Sequence, residues 1–297
     1  MGRALSYYLD HFGLQARPFA LAPDPAFLFW SAEHRGALAM LEYGLDTRAP
    51  ITLLTGEIGA GKTTVLHYFI DGVPDDVTTG LISNARPGVN DILRRVCAAL
   101  EVELPSGAAQ DDSAVQFGAL QEFLLAEHRA GRRVLVIIDE AQNLNRDALE
   151  DLRMLTNINA GRDEVLQLLL SGQPELRAMV RRPDLAQFAQ RVASSYHLPR
   201  LDLAGVGGYI AARLRHAGGK PDIFSRQAAH RIHQITEGTP RLINQLCDLA
   251  LTYAYAQGQG RVTRAIVDQV VQDGVFFAAP AGPGPDPASD SENGRDA

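Results

Sequence analysis

Residues 51–64 read ITLLTGEIGAGKTT, and this stretch decides the fold. Its first five residues, 51–55, form a short apolar run typical of a buried strand, and residues 62–70 read as a helix. Between the two, the sequence follows the pattern G-x-x-x-x-G-K-[ST]. Glycines in such a turn let backbone N–H groups curl around phosphate oxygens, and the start of the helix adds its positive dipole end. The stretch therefore predicts a phosphate-binding loop, or P-loop, between a strand and a helix.

The side chains of this loop predict a site for ATP and Mg²⁺. Lys62 would reach the β- and γ-phosphates, and the Thr63 hydroxyl would ligate Mg²⁺. Among 28 basic residues only Lys62 and Lys220 are lysine, which indicates that a compact ammonium group is needed at position 62. The residues predicted to hold the nucleotide are Gly56, Glu57, Ile58, Gly59, Ala60, Gly61, Lys62, Thr63 and Thr64.

A second motif, VLVIIDE at residues 134–140, places two carboxylates at the end of an apolar strand. Ligands of open α/β sheets bind at the carboxyl ends of the strands, so both side chains should face the P-loop. Asp139 would hold Mg²⁺, directly or through water. Glu140 would act as the general base that activates the attacking water.

Four further polar residues are weaker candidates. Ser171 and Gln173 follow the apolar run 165–170, and either side chain could touch the γ-phosphate or the water. Arg241 lies at the start of a helix, where a cation is repelled by the helix dipole and an external anion such as phosphate would stabilise it. Arg191 follows a helical stretch, and we expect it near the sheet edge that carries the nucleotide.

Strand and helix patterns alternate from residue 51 to residue 199, which predicts a five-stranded parallel sheet covered by helices on both faces. The predicted strands are 51–55, 79–83, 134–138, 165–170 and 195–199. The predicted helices of this part are 31–45, 62–70, 89–100, 115–130, 147–158 and 186–192. Proline and aromatic residues in the first thirty positions exclude a long helix there.

Only helical patterns follow, at 208–216, 225–237, 240–257 and 263–272. We therefore expect four parts: an N-terminal linker and helix (1–48), an α/β ATPase domain (49–203), a small helical lid domain (204–276) and a tail (277–297). The tail is rich in alanine, proline, glycine and aspartate without apolar periodicity, which predicts an acidic disordered segment.

Composition narrows the class of protein. The formal net charge of −7 is unlike that of a protein that coats DNA. The two cysteines, Cys97 and Cys247, lie in apolar helical patterns and predict buried free thiols of a reducing compartment. The sequence contains neither a signal peptide at its start nor an apolar run of the roughly 18–20 residues that span a bilayer. We expect a cytoplasmic protein.

Five motifs occur in an order that resembles the ExeA/GspA-type AAA+ ATPases, over residues 7–272. They are the opening stretch from Phe12-Gly13-Leu14 to Ala37-Leu38, TGEIGAGKTT (55–64), IDEAQ (138–142), LSGQPEL (170–176) and GTPRLIN (238–244) followed by Cys247-Asp248. The resemblance implies an AAA+ fold with a helical lid. It also implies Gln173, or alternatively Ser171, at the sensor-1 position, Arg241 as sensor 2, and Arg191 as an arginine finger that acts on a neighbouring subunit.

The resemblance also implies a role. Fuller members of that family act in type II secretion and continue into a membrane helix and a periplasmic peptidoglycan-binding domain, and we expect this chain to be a short form that lacks both. Shorter relatives accompany exopolysaccharide and exosortase gene clusters. We therefore expect a cytoplasmic ATPase, peripheral at the inner membrane, that forms a homo-oligomer on ATP binding. It would drive or gate assembly of an envelope, secretion or export machine through an unidentified protein partner.

Two alternatives stay open. Other relatives resemble the helper ATPases of transposition, which bind DNA, and the arginine pairs 94–95, 132–133 and 181–182 are candidate DNA contacts, although DNA is the less favoured partner. A slowly hydrolysing, nucleotide-gated scaffold is the other alternative. Glu140 argues against the scaffold, because a switch that does not hydrolyse could dispense with a general base.

Overall fold

The computed structural model describes residues 3–21, 29–83, 92–104, 112–161 and 163–277, with side chains of the first helix from residue 8 onward. Its strands are β1 (Ile51–Gly56), β2 (Val77–Ile82), β3 (Arg133–Ile138), β4 (Asn159–Ala160), β5 (Asp163–Glu164), β6 (Leu166–Gly172) and β7 (Val192–Leu198). Its helices are α1 (Arg3–Phe12), α2 (Ala32–Asp46), α3 (Lys62–Asp71), α4 (Ile92–Ala99), α5 (Ser113–Arg129), α6 (Arg146–Leu155), α7 (Pro174–Val180), α8 (Ala186–Ala189), α9 (Leu203–His216), α10 (Arg226–Thr236), α11 (Pro240–Ala256) and α12 (Arg264–Gln272). The predicted start of a helix at 89–91 and nearly all of the predicted tail lie outside the described residues.

Five strands form one parallel sheet in the order β2-β3-β6-β1-β7, while β4 and β5 form a separate short hairpin. The predicted five-stranded parallel sheet is thereby confirmed. Residues of β3 alternate between two cores: Leu135 and Ile137 share one core with residues of α2 and α3, whereas Val134, Val136 and Ile138 share the other with residues of α4, α5 and α6. Burial on both faces explains why the strand is apolar at every position after Arg133.

Three local differences from the sequence predictions have clear causes. The predicted helix 186–192 ends at Ala189, and Val192 already begins β7, whose β-branched and aromatic residues pair with β1. Helix α7 was missed although Pro174 occupies its first position, where proline is favoured. Helix α1 was also missed, since the prolines that exclude a long helix begin only at Pro18, beyond its end.

The helical region, α9–α12, has a core of its own that also contains residues from the start of the chain. Tyr8, Phe12, Leu14 and Phe19 are buried in this helical core. Helix α2, by contrast, packs on the sheet. The first 48 residues, predicted as one linker-and-helix unit, therefore divide between two cores.

Polar contacts fasten the opening segment to the helical region. The Tyr8 hydroxyl donates to Asp248 Oδ1 at 3.1 Å, and Arg17 Nε donates to the same oxygen at 2.9 Å. Arg213 Nε of α9 donates to the Pro18 carbonyl at 2.6 Å. Because these contacts join residues some 200 positions apart, the opening segment is an integral layer of the helical region.

Replacing Phe19 tests this arrangement. The ring is fully buried and packs edge-to-face on Phe224, with ring centroids 5.7 Å apart. We expect Phe19→Ala to lower the free energy of unfolding by about 3–5 kcal/mol, measured by urea denaturation, because the deletion leaves a cavity. The matched control, Tyr43→Ala, removes an aromatic ring that is 54% exposed on α2 and should change stability by less than about 0.5 kcal/mol. Equal effects of the two substitutions would contradict the packing of Phe19.

Candidate active site

A cavity of about 420 Å³ lies where the carboxyl ends of β1, β3 and β6 face the helical region. Its floor is the P-loop and the first turn of α3, and its opposite wall is formed by α9 and α11. Of the residues predicted from sequence, those that line the cavity are Ile58, Gly59, Gly61, Lys62, Thr63, Thr64, Glu140, Gln173 and Arg241. Segments that are distant in the chain therefore meet at the site that the motifs predict.

Close backbone approach explains the glycines of the P-loop. Gly59 and Gly61 have φ angles of 74° and 103°, a region that residues with a Cβ rarely adopt. A Cβ at Gly56 would lie 2.5 Å from the Leu198 carbonyl oxygen, and one at Gly59 would lie 2.9 Å from Cβ of Arg241. The loop is thus held between β7 and the start of α11, so it touches the helical region directly.

Lys62 begins α3, is 93% buried, and points back along the P-loop. Its Nζ donates to the carbonyls of Gly56 at 2.7 Å and Glu57 at 3.0 Å. Burial lowers the pKa of Lys62, and the nearby carboxylates of Glu140 and Asp139 oppose that shift. The ammonium group is therefore held inside the loop, between the backbone and two acidic side chains.

Asp139 follows β3 directly and is fixed by three donors. Its Oδ1 accepts from the Ser171 hydroxyl at 2.7 Å and from the Glu140 backbone N–H at 3.0 Å. Its Oδ2 accepts from the Thr63 hydroxyl at 3.4 Å. A carboxylate and a hydroxyl oxygen this close are hard donors suited to Mg²⁺, which usually keeps several waters and binds substrate phosphates as well. The pair therefore fits a magnesium ion.

Glu140 occupies a strained position next to Asp139. Its φ of 55° lies in the left-handed region, which costs a non-glycine residue about 1–3 kcal/mol and is typical of functional sites. Its carboxylate accepts from the side-chain amide of Gln142 and, at 3.4 Å, from that of Gln173. The backbone conformation of Glu140 and these hydrogen bonds together direct its carboxylate into the cavity.

The two candidates at the end of β6 have different surroundings. Ser171 is fully buried and its hydroxyl is committed to Asp139, whereas Gln173 lines the cavity and contacts Glu140. Gln142, which was not assigned a role from sequence, accepts from the Gln173 backbone N–H at 3.0 Å. The geometry favours Gln173 for contact with a bound ligand and Ser171 for orienting Asp139.

Arg241 lies in the first turn of α11, beside Gly59, and lines the cavity. Its side chain is exposed, and none of the carboxylates in the described ranges forms an ion pair with it. An unpaired cation at a helix start is repelled by the helix dipole, so a phosphate in the cavity would stabilise this position.

The expected position of Arg191 was wrong. The residue precedes β7, and β7 runs parallel to β1, so Arg191 lies at the sheet edge opposite the P-loop. Its guanidinium donates to Asn157 and, at 3.4 Å, to Glu164, which precedes β6 at that same edge. A strand of seven residues spans roughly 20 Å, so Arg191 cannot reach the nucleotide site of its own chain.

Two residues near the P-loop were missed as functional candidates. His34 of α2 is buried and lines the cavity beside Gly61. Arg200, between β7 and α9, donates to Glu57 of the loop at 3.3 Å and also binds Glu237 at the end of α10. The sequence around Arg200 gives no sign of its contacts. For His34 the one sign is Ser31, a helix-capping residue three positions earlier.

The fold and the site define the class of protein. A parallel sheet of this strand order carries a glycine-rich loop between β1 and α3, and a helical region closes over that loop. Residues 45–180 match the family described as AAA domain. The chain therefore has the P-loop NTPase fold of the AAA type.

A particular relative extends this assignment. The chain is 39% identical, over 255 residues and 86% of its length, to General secretion pathway protein A of Aeromonas hydrophila. The resemblance that the five motifs predict is thereby confirmed. The match covers 46% of that relative, so the chain spans about half of its length.

Solved structures agree with the fold. The ORC2 protein of Aeropyrum pernix matches 87% of this chain and 72% of its own with a TM-score of 0.61 and 17% identity. Cdc6p of Pyrobaculum aerophilum matches 87% of this chain and 73% of its own with a TM-score of 0.62 and 16% identity. At such low identity these similarities support the fold alone. In the part of the chain that the structure describes, each helix is too short or too polar to cross a bilayer.

Proposed function

We propose that this protein hydrolyses ATP to drive or gate assembly of an envelope, secretion or exopolysaccharide export machine. One observation carries the ATPase assignment: the P-loop with Lys62 and the Glu140 carboxylate line a single cavity, and Asp139 is hydrogen-bonded to Thr63 of that cavity. A phosphate-binding loop alone would fit any nucleotide-binding protein. The added carboxylate pair is what hydrolysis requires.

The predicted residues around the cavity have distinct tasks in this proposal. The backbone N–H groups of the loop and the Lys62 ammonium hold the phosphates. Thr63 and Asp139 would hold Mg²⁺, which when bound neutralises charge on the phosphate oxygens. Glu140 takes a proton from the attacking water, while Gln173 and Arg241 contact the terminal phosphate.

One relative supports the proposed role in export. The sequence relative is a general secretion pathway protein, which supports a partner in an export machine. The free thiols of Cys97 and Cys247 fit a reducing compartment, so we place the ATPase in the cytoplasm, peripheral at the inner membrane.

The ion pairs of the surface arginines give less support to DNA binding. Among the arginine pairs proposed from sequence, Arg132 forms an ion pair with Glu127, and Arg133 lies 3.3 Å from Asp76. Arg182 forms an ion pair with Asp184 at 3.0 Å. Neighbouring carboxylates offset these charges, whereas DNA binding depends on cations that are available to phosphates.

The ATP site is tested by removing its cation. Lys62→Ala should weaken ATP binding tenfold or more, about 1.4 kcal/mol per decade, measured by titration calorimetry with Mg·ATP. Its matched control is Lys220→Ala, which removes the other lysine of the chain from an exposed position and should leave the affinity unchanged. If Lys62→Ala bound ATP as tightly as the wild type, the phosphate-binding assignment of this loop would be wrong.

A further inference from the structure

Arg200 lies at the joint between the sheet and the helical region, in the short connection from β7 to α9. On one side of this connection is the P-loop, where a Cβ at Gly56 would lie 2.5 Å from the Leu198 carbonyl oxygen. On the other side is the turn from α10 to α11. There the Leu201 N–H donates to the Gly238 carbonyl at 3.0 Å, and a Cβ at Gly238 would lie 1.8 Å from the Leu201 carbonyl oxygen. The connection is therefore packed between the P-loop and that turn.

The guanidinium of Arg200 joins two carboxylates that belong to opposite sides of this joint. One terminal nitrogen donates to Oε2 of Glu57, in the P-loop, at 3.3 Å. The other terminal nitrogen pairs with the carboxylate of Glu237, which caps the end of α10. The Nε atom is buried, so the stem of the side chain lies inside the joint. Two negative charges are thus held around one positive charge.

Each carboxylate adjoins one of the cations that we assign to the phosphates. The Glu57 backbone carbonyl accepts from Lys62 Nζ at 3.0 Å, so Glu57 is an immediate neighbour of the loop ammonium. Glu237 lies four positions before Arg241, which lines the cavity beside Gly59. An uncompensated negative charge at either position would act against an anion bound in the cavity.

Without Arg200 two like charges would face each other across the joint. Because both carboxylates bind the same guanidinium, they lie close together, and like charges at short range repel. One carboxylate belongs to the loop and the other to the helical region, so their repulsion would move Arg241 away from the loop. We propose that Arg200 is a positioning residue that neutralises Glu57 and Glu237 and thereby keeps the P-loop and the start of α11 together around the phosphates. The inference rests on the proposed binding of ATP at this loop.

Removing the charge of Arg200 should weaken ATP binding. Arg200→Met keeps an unbranched stem for the joint but carries no charge. We expect its affinity for Mg·ATP to fall about three- to tenfold, the scale of two partly exposed ion pairs, measured by titration calorimetry in about 50 mM salt. The matched control is Arg215→Met, which removes an exposed arginine in the last turn of α9 and should bind like the wild type.

Removing the two carboxylates as well separates charge compensation from other roles of Arg200. The triple variant Arg200→Met/Glu57→Gln/Glu237→Gln nearly keeps the shapes of the three side chains and has none of their charges. With no repulsion left in the joint, it should recover ATP affinity to within about twofold of the wild type. If the triple variant bound ATP as weakly as Arg200→Met, the inference would be overturned, because Arg200 would then act by packing or by direct contact with the nucleotide.

Salt gives a second measurement that does not require the triple variant. The three side chains are 31–53% exposed, so dissolved ions reach them and screen their charges. The ratio of wild-type to Arg200→Met affinity should approach one as salt rises from about 50 mM to about 0.5 M. A ratio that does not change with salt would contradict charge compensation.

Melting temperatures without nucleotide and the Lys62→Ala variant complete the test. Repulsion in the joint predicts that Arg200→Met melts at a lower temperature than the triple variant, whereas equal melting temperatures together with equally weak ATP binding would refute it. Loss of binding in Lys62→Ala beside normal binding in Arg200→Met would remove only the role of Arg200. A wild type that binds no ATP would remove both the inference and the proposed function.

Discussion

Arg191→Ala protein is expected to bind ATP almost as tightly as the wild type and to hydrolyse it about 10³-fold more slowly, the scale of an arginine finger. The reason is geometric. Arg191 lies at the sheet edge opposite its own P-loop, so we infer that its guanidinium acts on the site of a neighbouring chain. Contacts with Asn157 and Glu164 hold the Arg191 guanidinium at that surface.

Mixing two inactive variants tests this arrangement. In a mixed oligomer, Arg191→Ala supplies an intact P-loop and Lys62→Ala supplies an intact arginine, so part of the turnover should return. Turnover per chain of the wild type should also rise with protein concentration. Arg181→Ala, which removes an exposed arginine at the end of α7, is the control and should hydrolyse normally. Turnover independent of concentration, together with no recovery in the mixture, would mean that Arg191 is structural and the ATPase is monomeric.

Glu140→Gln is expected to bind ATP and to lose about 10²-fold or more of its turnover, measured by phosphate release. The amide has nearly the shape of the carboxylate and can still accept hydrogen bonds from Gln142 and Gln173, but it cannot take a proton from water. The control is Glu175→Gln, an exposed carboxylate in the same neighbourhood whose charge also acts on Lys62. A turnover near that of the wild type would assign activation of the water to another group.

The same variant can identify the partner. An ATPase that binds but does not hydrolyse ATP accumulates in the ATP state, so partners specific to that state should stay bound. We expect Glu140→Gln with ATP to retain a component of an envelope or export machine from the membrane fraction of its own cells, and Lys62→Ala to lose it. Retention of DNA, abolished by nuclease treatment, would instead favour the helper role in transposition.

The fold and the centre of the site could be predicted because their signals are local. A glycine-rich loop must follow a strand and open a helix, and a carboxylate pair that ends an apolar strand must lie at the carboxyl edge of a parallel sheet. From these two rules alone, without any knowledge of tertiary structure, Lys62 and Asp139 are predicted to lie close together. The similarity of the chain to a general secretion pathway protein confirms the family to which the motifs point.

The errors and omissions depend on longer-range geometry. Arg191 was assigned to the nucleotide edge, but a residue before a parallel strand must lie at the opposite edge, so the topology itself contradicts that assignment. His34, Gln142 and Arg200 lie at the site through contacts with other elements, and no residue spacing encodes such contacts. Their positions depend on how the helices pack on the sheet.

The joining of the opening segment to the helical region also affects how the chain matures on the ribosome. Proteins emerge amino end first, at about 5–20 residues per second. The Pro18 carbonyl can accept its hydrogen bond from Arg213 only after 195 further residues have been added to the chain. At that rate of synthesis the bond can form only roughly 10–40 s after Pro18 is made. Meanwhile the sheet can assemble, while Phe12 and Phe19 remain without their final neighbours. The nascent chain therefore carries an exposed aromatic segment until the helical region has been made, and the cavity above the P-loop is completed later than the sheet.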